Sequence, residues 1–231
     1  MTISDTRSRP SPLPLLRDAV LDAAAVLLPV SCAGCSAPDR SLCADCTRAL
    51  TQDLRSRTVQ GVTVWSSLDY ADVPRAVLLA YKDAGRVDTT RALARSLRPA
   101  LAAAHDGGPP GHGVPSVPVL IPSTRAAWRK RGYHPTGAVL ARTRVLPPPL
   151  WRALRLTRQT ADQAGLGSAA RAGNRAGSMV ASRRLRGRRC VIVDDIVTSG
   201  ATIAEAARAI TAAGGSVAGA ATIARTPLRR R

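Results

Sequence analysis

The sequence contains no phenylalanine, and aromatic residues make up 3% of its 231 residues. Acidic residues are also few, since 15 Asp and Glu stand against 34 Lys and Arg and give a formal net charge of +19. Such an excess of positive charge favours anionic partners, either phosphorylated small molecules or nucleic acid. The scarcity of aromatic rings counts against an extensive base-stacking surface, because stacking on such rings supplies much of the affinity for single strands. The charge alone does not choose between these two classes of partner.

Long apolar runs are missing as well. No stretch approaches the roughly 20 uninterrupted apolar residues that a membrane-spanning helix needs. The apolar run at 23–30 follows Asp18 and Asp22, where a secretory signal would carry basic residues and a clean apolar core. We therefore expect a cytoplasmic protein without membrane insertion, long enough for one well-cored domain and a small appendage.

The most informative stretch covers residues 190–202 and has the sequence C-V-I-V-D-D-I-V-T-S-G-A-T. Its β-branched residues at 191–193 predict a short strand that is buried on both faces. The small and hydroxyl residues at 198–202 then predict a tight loop that opens an alanine-rich helix ending near residue 213. Backbone N–H groups and the positive end of the helix dipole at such a loop suit a phosphate.

Two adjacent carboxylates, Asp194 and Asp195, stand between this strand and the loop. They are two of only four acids after residue 107, in a segment rich in arginine. Ionised carboxylates accept hydrogen bonds from sugar hydroxyls and attract a divalent cation. The combination predicts a sugar-phosphate site, and the alternative is an ordinary strand-to-helix turn with two solvated carboxylates and a threonine cap.

Four of the five cysteines form two C-x-x-C pairs, Cys32 with Cys35 and Cys43 with Cys46. Two such pairs can supply four thiolates to one zinc ion, and four protein ligands make a structural site because no position stays open. A redox dithiol is the alternative, although it usually needs only one pair, and disulfides are disfavoured in a reducing cytosol. We expect the fifth, Cys190, to be a small core residue.

Two basic segments lie elsewhere in the chain. Residues 122–135, P-S-T-R-A-A-W-R-K-R-G-Y-H-P, predict a basic loop on a glycine hinge that could close over a pyrophosphate, and a solvated basic loop is the alternative. Lys82 and Arg86 lie on either side of Gly85, at which a predicted helix ends, and they could either hold pyrophosphate or complement the helix dipole.

The remaining sequence alternates between predicted strands and predicted helices. The predicted helices cover residues 15–28, 72–84, 89–104 and 136–145, and the predicted strands cover 62–65, 117–121, 154–156 and 216–224. This alternation predicts an α/β fold with a mainly parallel sheet flanked by helices, together with a small N-terminal zinc-binding element.

The motif at 191–202 resembles the phosphoribosyl pyrophosphate (PRPP) motif of type I phosphoribosyltransferases, and the order of motifs around it resembles the ComF family. Residues 81–86 resemble the family's K-Y-x-G-R segment, and residues 129–135 resemble its R-x-R-G-F-N-Q loop, except that His134 and Pro135 replace Asn-Gln. Positions that match the family's T-x-x-Q and R-x-x-N are Gln163, Arg171 and Asn174.

This resemblance implies a PRPP-binding protein that performs Mg²⁺-dependent pentosyl transfer or senses PRPP, with a link to DNA uptake and the competence machinery. Implied catalytic residues are Asp194, Asp195, Arg129, Lys130 and Arg131. Implied PRPP-binding residues are Lys82, Asp194, Asp195, Ile196, Val197, Thr198, Ser199, Gly200, Ala201 and Thr202. The rival hypothesis is an accessory protein that binds single-stranded DNA and uses the same fold as a scaffold.

The predicted domain organisation follows from these assignments. It comprises a disordered tail at 1–13, a helix and four-cysteine element at 14–58, a phosphoribosyltransferase-like domain at 59–226 and a basic tail at 227–231.

Overall fold

The computed structural model describes residues 30–51, 53–107, 115–150, 152–157 and 177–227. The predicted tail at 1–13 and helix at 15–28 lie outside these residues, as do Gln163, Arg171, Asn174 and residues 228–231.

Seven strands form two sheets in the described residues. The strands are β1 (Arg55–Val59), β2 (Val62–Asp69), β3 (Val117–Leu120), β4 (Leu154–Leu156), β5 (Met179–Ala181), β6 (Arg189–Val197) and β7 (Ser216–Arg225). The main sheet has the order β1-β2-β7-β6-β3, in which β2, β7, β6 and β3 are parallel and β1 is antiparallel to β2. The second sheet is the antiparallel pair β4 and β5. The predicted fold class, a mainly parallel sheet flanked by helices, is confirmed.

Six α-helices accompany the sheets within the described ranges. They are α1 (Ala44–Ala49), α2 (Asp72–Asp83), α3 (Thr90–Asp106), α4 (Arg125–Arg131), α5 (Pro135–Thr143) and α6 (Ala201–Ala212), and two 3-10 turns lie at Val87–Thr89 and Arg183–Leu185. Among the helices that the structure describes, none combines the length and the apolar character needed to cross a membrane.

The main sheet is buried on both faces, which explains the continuous apolar run in β6. Val191 and Val193 face a core formed with α2, α3 and α5, whereas Cys190 and Ile192 face a second core formed with α6 and the β4–β5 pair. Strands covered on both faces are typically rich in Val, Ile and Leu instead of alternating with polar residues. Cys190 is fully buried, and its position agrees with the core role expected for it.

Strand β1 was not predicted. Its sequence R-S-R-T-V is mostly polar, because β1 lies at the edge of the sheet and much of it is exposed. Gln60 and Gly61 both have positive φ, 45° and 81°, and make the two-residue turn that joins β1 to β2. The predicted domain boundary between residues 58 and 59 therefore falls inside a strand of the main sheet.

Two other elements differ from the predictions. Strand β6 continues past Val193 to Val197, because Asp194 pairs with Thr222 and Val197 with Arg225 in the ladder to β7. The predicted basic loop at 122–135 contains a helix instead, because residues 125–131 form helix α4. The hydroxyl of Thr124 caps this helix by accepting from the Ala127 N–H at 3.2 Å.

Candidate functional site

The acid pair lies at the carboxyl end of β6, a strand with parallel neighbours on both sides. In open α/β sheets the ligand crevice is found at this edge. The Asp194 carboxylate accepts a hydrogen bond from the Asp195 N–H at 2.9 Å, and the Asp195 carboxylate accepts one from the Ile196 N–H at 2.7 Å. These two bonds fix the orientation of both carboxylates before any ligand arrives.

Lys82 supplies the positive charge next to this pair. Its Nζ forms an ion pair with the second carboxylate oxygen of Asp195, and the two side chains are only 25% and 16% exposed. Lys82 comes from the last turn of α2, so the ion pair joins that helix to the end of β6. The structure thus brings together Lys82, Asp194 and Asp195, three of the residues that the sequence predicts for the PRPP site.

The two carboxylates have different surroundings. Burial, reinforced by the charge of Asp195, raises the pKa of Asp194 well above the usual range of an aspartate. Asp195 instead has the Lys82 ammonium as its partner. The pair therefore combines one carboxylate that is matched with a cation and one that gains protons readily.

The loop after β6 has the geometry of a phosphate-binding turn. Thr198 and Ser199 are exposed, Gly200 is the N-cap of α6 with φ 85°, and α6 begins at Ala201. Gly200 has no side chain to occupy the helix N-terminus, where the dipole favours an anion. A Cβ on Gly200 would lie 2.5 Å from Cγ1 of Val59, so packing against β1 and the positive φ both require glycine here.

Other predicted PRPP-binding positions contribute to the fold through their side chains. Val197 is buried in the α6 core, and Ile196 packs on the opposite core. Ala201 and Thr202 lie on the first turn of α6 and are half-buried. Any part that these four residues play in ligand binding would involve mainly the backbone or the Thr202 hydroxyl.

The three predicted cations of the basic segment are placed differently from one another. Arg131 donates from Nε to the Lys82 carbonyl oxygen at 2.8 Å, and its Nη2 lies 3.4 Å from an Asp83 carboxylate oxygen. Arg129 and Lys130 are exposed. Helix α4 is thus attached at its end to the same turn of α2 that carries Lys82, while its other cations face solvent.

His134 has a definite structural role at the position where the chain departs from the ComF pattern. Its Nδ1 accepts from the Gly137 N–H at 3.2 Å and caps α5, and its Nε2 lies 2.9 Å from the Ile121 carbonyl oxygen. Because Nδ1 accepts, Nε2 carries the proton and donates to Ile121. His134 therefore ties the start of α5 to the end of β3.

Arg86 lies on the cysteine element and not beside the acid pair. It donates to the carbonyl oxygens of Ser31 at 2.8 Å and Ser41 at 3.4 Å, and it pairs with Asp88 at 2.8 Å. Of the two cations that were candidates for pyrophosphate, Lys82 alone reaches the acid pair, since Arg86 is engaged by the segment that carries the cysteines.

The four paired cysteines form one cluster. One ligand atom from each of Cys32, Cys35, Cys43 and Cys46 lies within 4.8 Å of the others, and the Cys35 and Cys43 sulfurs are 3.7 Å apart. Tetrahedral zinc with Zn–S bonds of about 2.3 Å separates its sulfurs by about 3.8 Å, so the cluster could hold zinc. Burial opposes ionisation of Cys32, but the N–H groups of Cys43, Cys35 and Gly34 outweigh it and lower the pKa of this thiol to about 6. Burial and the neighbouring thiols raise the pKa of Cys46, so without a metal the negative charge of the cluster is concentrated on Cys32. A thiolate is the form that binds a metal.

Sequence reasoning missed Arg57 on β1. Its Nη2 donates a hydrogen bond to the carbonyl oxygen of Thr198, the first residue of the loop. The signal that could have found this strand was the Gln60-Gly61 turn between two β-branched pairs, which is typical of a hairpin.

The fold and this site define an α/β protein with an acid pair and a phosphate-type loop at the carboxyl end of a central parallel strand. A family model described as "Phosphoribosyl transferase domain" matches residues 145–231. The matched segment includes the acid pair and the loop, and it supports a phosphoribosyltransferase-like, PRPP-binding function. A comparison with curated proteins finds no significant match.

We expect protein purified without a metal-affinity tag to contain about one zinc per chain, because four cysteine sulfurs within 4.8 Å of one another can form a closed site around one ion. Replacing Cys35 and Cys43 together with serine should remove the zinc and lower the melting temperature, since a closed site contributes directly to folding. Elemental analysis and thermal melts measure both effects, with Cys190→Ala as the control that keeps its zinc. Stoichiometric zinc in the double variant would exclude this cluster as the site.

Asp194→Asn should be more stable than the wild type near neutral pH. A raised folded-state pKa means that the folded chain keeps a proton that the unfolded chain releases, so wild-type stability falls as pH rises above the ordinary carboxyl pKa of about 3.9. The advantage of the variant should therefore shrink toward pH 4. Thermal melts between pH 4 and 8 test this, beside Asp195→Asn, which should be the less stable of the two because it leaves Lys82 unpaired. The reverse order at neutral pH would contradict the assignment.

Proposed function

We propose that this chain is a ComF-type protein that binds PRPP at the carboxyl end of β6 with the help of Mg²⁺. Asp194 and Asp195 bind the ribose hydroxyls, and residues 198–202 bind the 5′-phosphate. The observation that carries the proposal is the adjacency of three parts in one place: an acid pair, its Lys82 counter-ion and a helix N-terminus that opens on a glycine.

The acid pair fits a sugar ligand better than a metal site made by protein alone. A carboxylate offers about four acceptor positions, and each of the two uses one for a neighbouring backbone N–H. Asp195 also uses its second oxygen for Lys82, and the positions that remain on the two carboxylates can accept from ribose hydroxyls. Mg²⁺ is usually held by one or two carboxylates together with substrate phosphates, which suits a site with only two carboxylates. When bound, the ion would neutralise charge that develops on the pyrophosphate.

The cations near this edge suit the other end of PRPP. Lys82 lies on the acid pair, and Arg131 holds the end of α4 against the Lys82 turn. The exposed Arg129 and Lys130 on α4 are then available to stabilise a departing pyrophosphate. This arrangement provides electrostatic stabilisation, and Thr198, the first residue of the loop, cannot act as a general base near neutral pH. An acceptor for pentosyl transfer must therefore be nucleophilic already or bring its own base.

A second candidate function, binding of single-stranded DNA, rests on the exposed surface of α4. This helix displays Arg125, Arg129 and Lys130 together with Trp128, whose surface is 38% exposed. Cations interleaved with an aromatic ring are typical of surfaces that track a nucleic acid backbone and stack a base. The link to DNA uptake that the ComF resemblance implies would give such a surface a role.

For PRPP, we expect calorimetric titration with Mg²⁺ to show binding to the wild type and a loss of roughly ten- to a hundredfold in Asp194→Asn and Asp195→Asn, since a charged hydrogen bond is worth about 1.5–3 kcal/mol. Asp106→Asn is the matched control. Asp106 is an exposed acid at the end of α3, which leads into the amino end of β3, whereas the acid pair lies at the carboxyl end of the neighbouring strand β6. Equal affinity in the wild type and both site variants would show that the pair serves the fold and not the ligand.

For DNA, the expected result is that Arg129→Ala with Lys130→Ala weakens single-strand binding and reduces its salt slope by roughly one to two, at about 0.7 per phosphate contact. Trp128→Ala should cost about 1–3 kcal/mol if a base stacks there. Arg91→Ala with Arg98→Ala, an exposed pair on α3, controls for net charge. If the control pair and the α4 pair lower the affinity equally, the binding depends on overall charge, and no DNA binding by the wild type would remove this function.

A further inference from the structure

Strand β1 lies against the phosphate loop through two residues of its own. Arg57 hydrogen-bonds to the Thr198 carbonyl oxygen, and Val59 packs on Gly200 so closely that a Cβ there would lie 2.5 Å from Val59 Cγ1. Residues two apart in a strand lie on the same face, so Arg57 and Val59 present one face of β1 to the loop. The hairpin at the edge of the sheet therefore packs against one side of the phosphate loop through Arg57 and Val59.

The bond to Thr198 determines the direction of one peptide in this loop. In a trans peptide the C=O and the following N–H point in opposite directions, and the described residues contain no cis peptide. Because the Thr198 C=O points to Arg57, the Ser199 N–H points away from β1. An anion bound in front of the loop would meet this N–H group.

The positive charge of Arg57, next to the phosphate loop, is not balanced by an acidic side chain among the described residues. Arg57 is half-buried, its Nε is buried without a hydrogen-bond partner, and among the described residues it has no acidic partner. Arg55 on the same strand differs, because it pairs with Asp53 at 2.8 Å. Burial of Arg57 also lowers its pKa, which reflects the cost of keeping the cation away from water. A phosphate bound on the other side of the Thr198–Ser199 peptide would bring negative charge near this cation without contacting it.

We infer that Arg57 is a positioning residue of the phosphate loop, which holds the Thr198–Ser199 peptide with its N–H directed at the 5′-phosphate of the sugar phosphate. This inference rests on the proposed PRPP-binding function and adds to it a residue from the edge hairpin. Its effect should be confined to the phosphate that this loop binds. The pyrophosphate end of PRPP lies with the cations of α2 and α4 and should not depend on Arg57.

The test titrates ribose 5-phosphate and, separately, pyrophosphate with Mg²⁺ into the wild type, Arg57→Ala, Arg57→Lys and the control Arg55→Ala. We expect Arg57→Ala to lose about tenfold in affinity for ribose 5-phosphate, the size of one charged hydrogen bond, while its affinity for pyrophosphate stays within about twofold. Arg57→Lys, which keeps the charge and one donor, should fall between the wild type and Arg57→Ala. Arg55→Ala should bind like the wild type. Amide hydrogen exchange at 198–200 should be faster in Arg57→Ala, as expected for a peptide that has lost its anchor.

Three outcomes would overturn the inference. Arg57→Ala that binds ribose 5-phosphate like the wild type would show that the hydrogen bond does not position the loop. Equal losses of affinity for ribose 5-phosphate and for pyrophosphate in both Arg57 variants would show a general effect on the fold. If Arg57→Ala does not fold, the same comparison of the two ligands in Arg57→Lys tests the inference. A wild type that binds neither PRPP nor ribose 5-phosphate would refute the proposed function itself and this inference with it, an outcome distinct from the first two.

Discussion

The ion pair between Lys82 and Asp195 is the interaction on which the arrangement of the site depends. Two carboxylates in succession at a strand end oppose each other's ionisation, so an adjacent cation is needed if the pair is to stay charged. Lys82 comes from α2, and both side chains of the pair are mostly shielded from water, where charges interact more strongly than at an open surface. The position of α2 over the sheet is therefore tied to the chemistry of the acid pair.

Residues 82–86, which include the end of α2 and the turn after it, also join the other parts of the site. Arg131 attaches α4 to the Lys82 carbonyl, and Arg86, four residues after Lys82, attaches the cysteine element through Ser31 and Ser41. The same short segment thus contacts the basic helix, the acid pair and the four-cysteine cluster. Zinc bound by the four cysteines would make the cluster rigid, and a rigid cluster at one end of this segment would limit how far Lys82 can move from Asp195 at the other.

Features encoded by neighbouring residues could be predicted from the sequence, and features that depend on distant residues could not. The apolar run of β6, the acid pair, the loop and the two C-x-x-C pairs are all local patterns, and the structure contains each of them. Arg57 and Thr198 are 141 positions apart, and no local pattern links them. Similarly, Lys82 and Arg86 are alike in sequence, and only the packing of α2 decides that one contacts Asp195 and the other contacts Ser31.

The two carboxylates are not equivalent in the chemistry they can offer. Asp195 is matched with a cation and has one oxygen on the Ile196 N–H, so it is a fixed acceptor. Burial and the neighbouring Asp195 charge raise the pKa of Asp194. A protonated carboxyl can donate a hydrogen bond, whereas an ionised one only accepts. A ligand that brings positive charge to the pair would therefore favour the ionised form of Asp194, whereas Asp195 already has the Lys82 ammonium beside it.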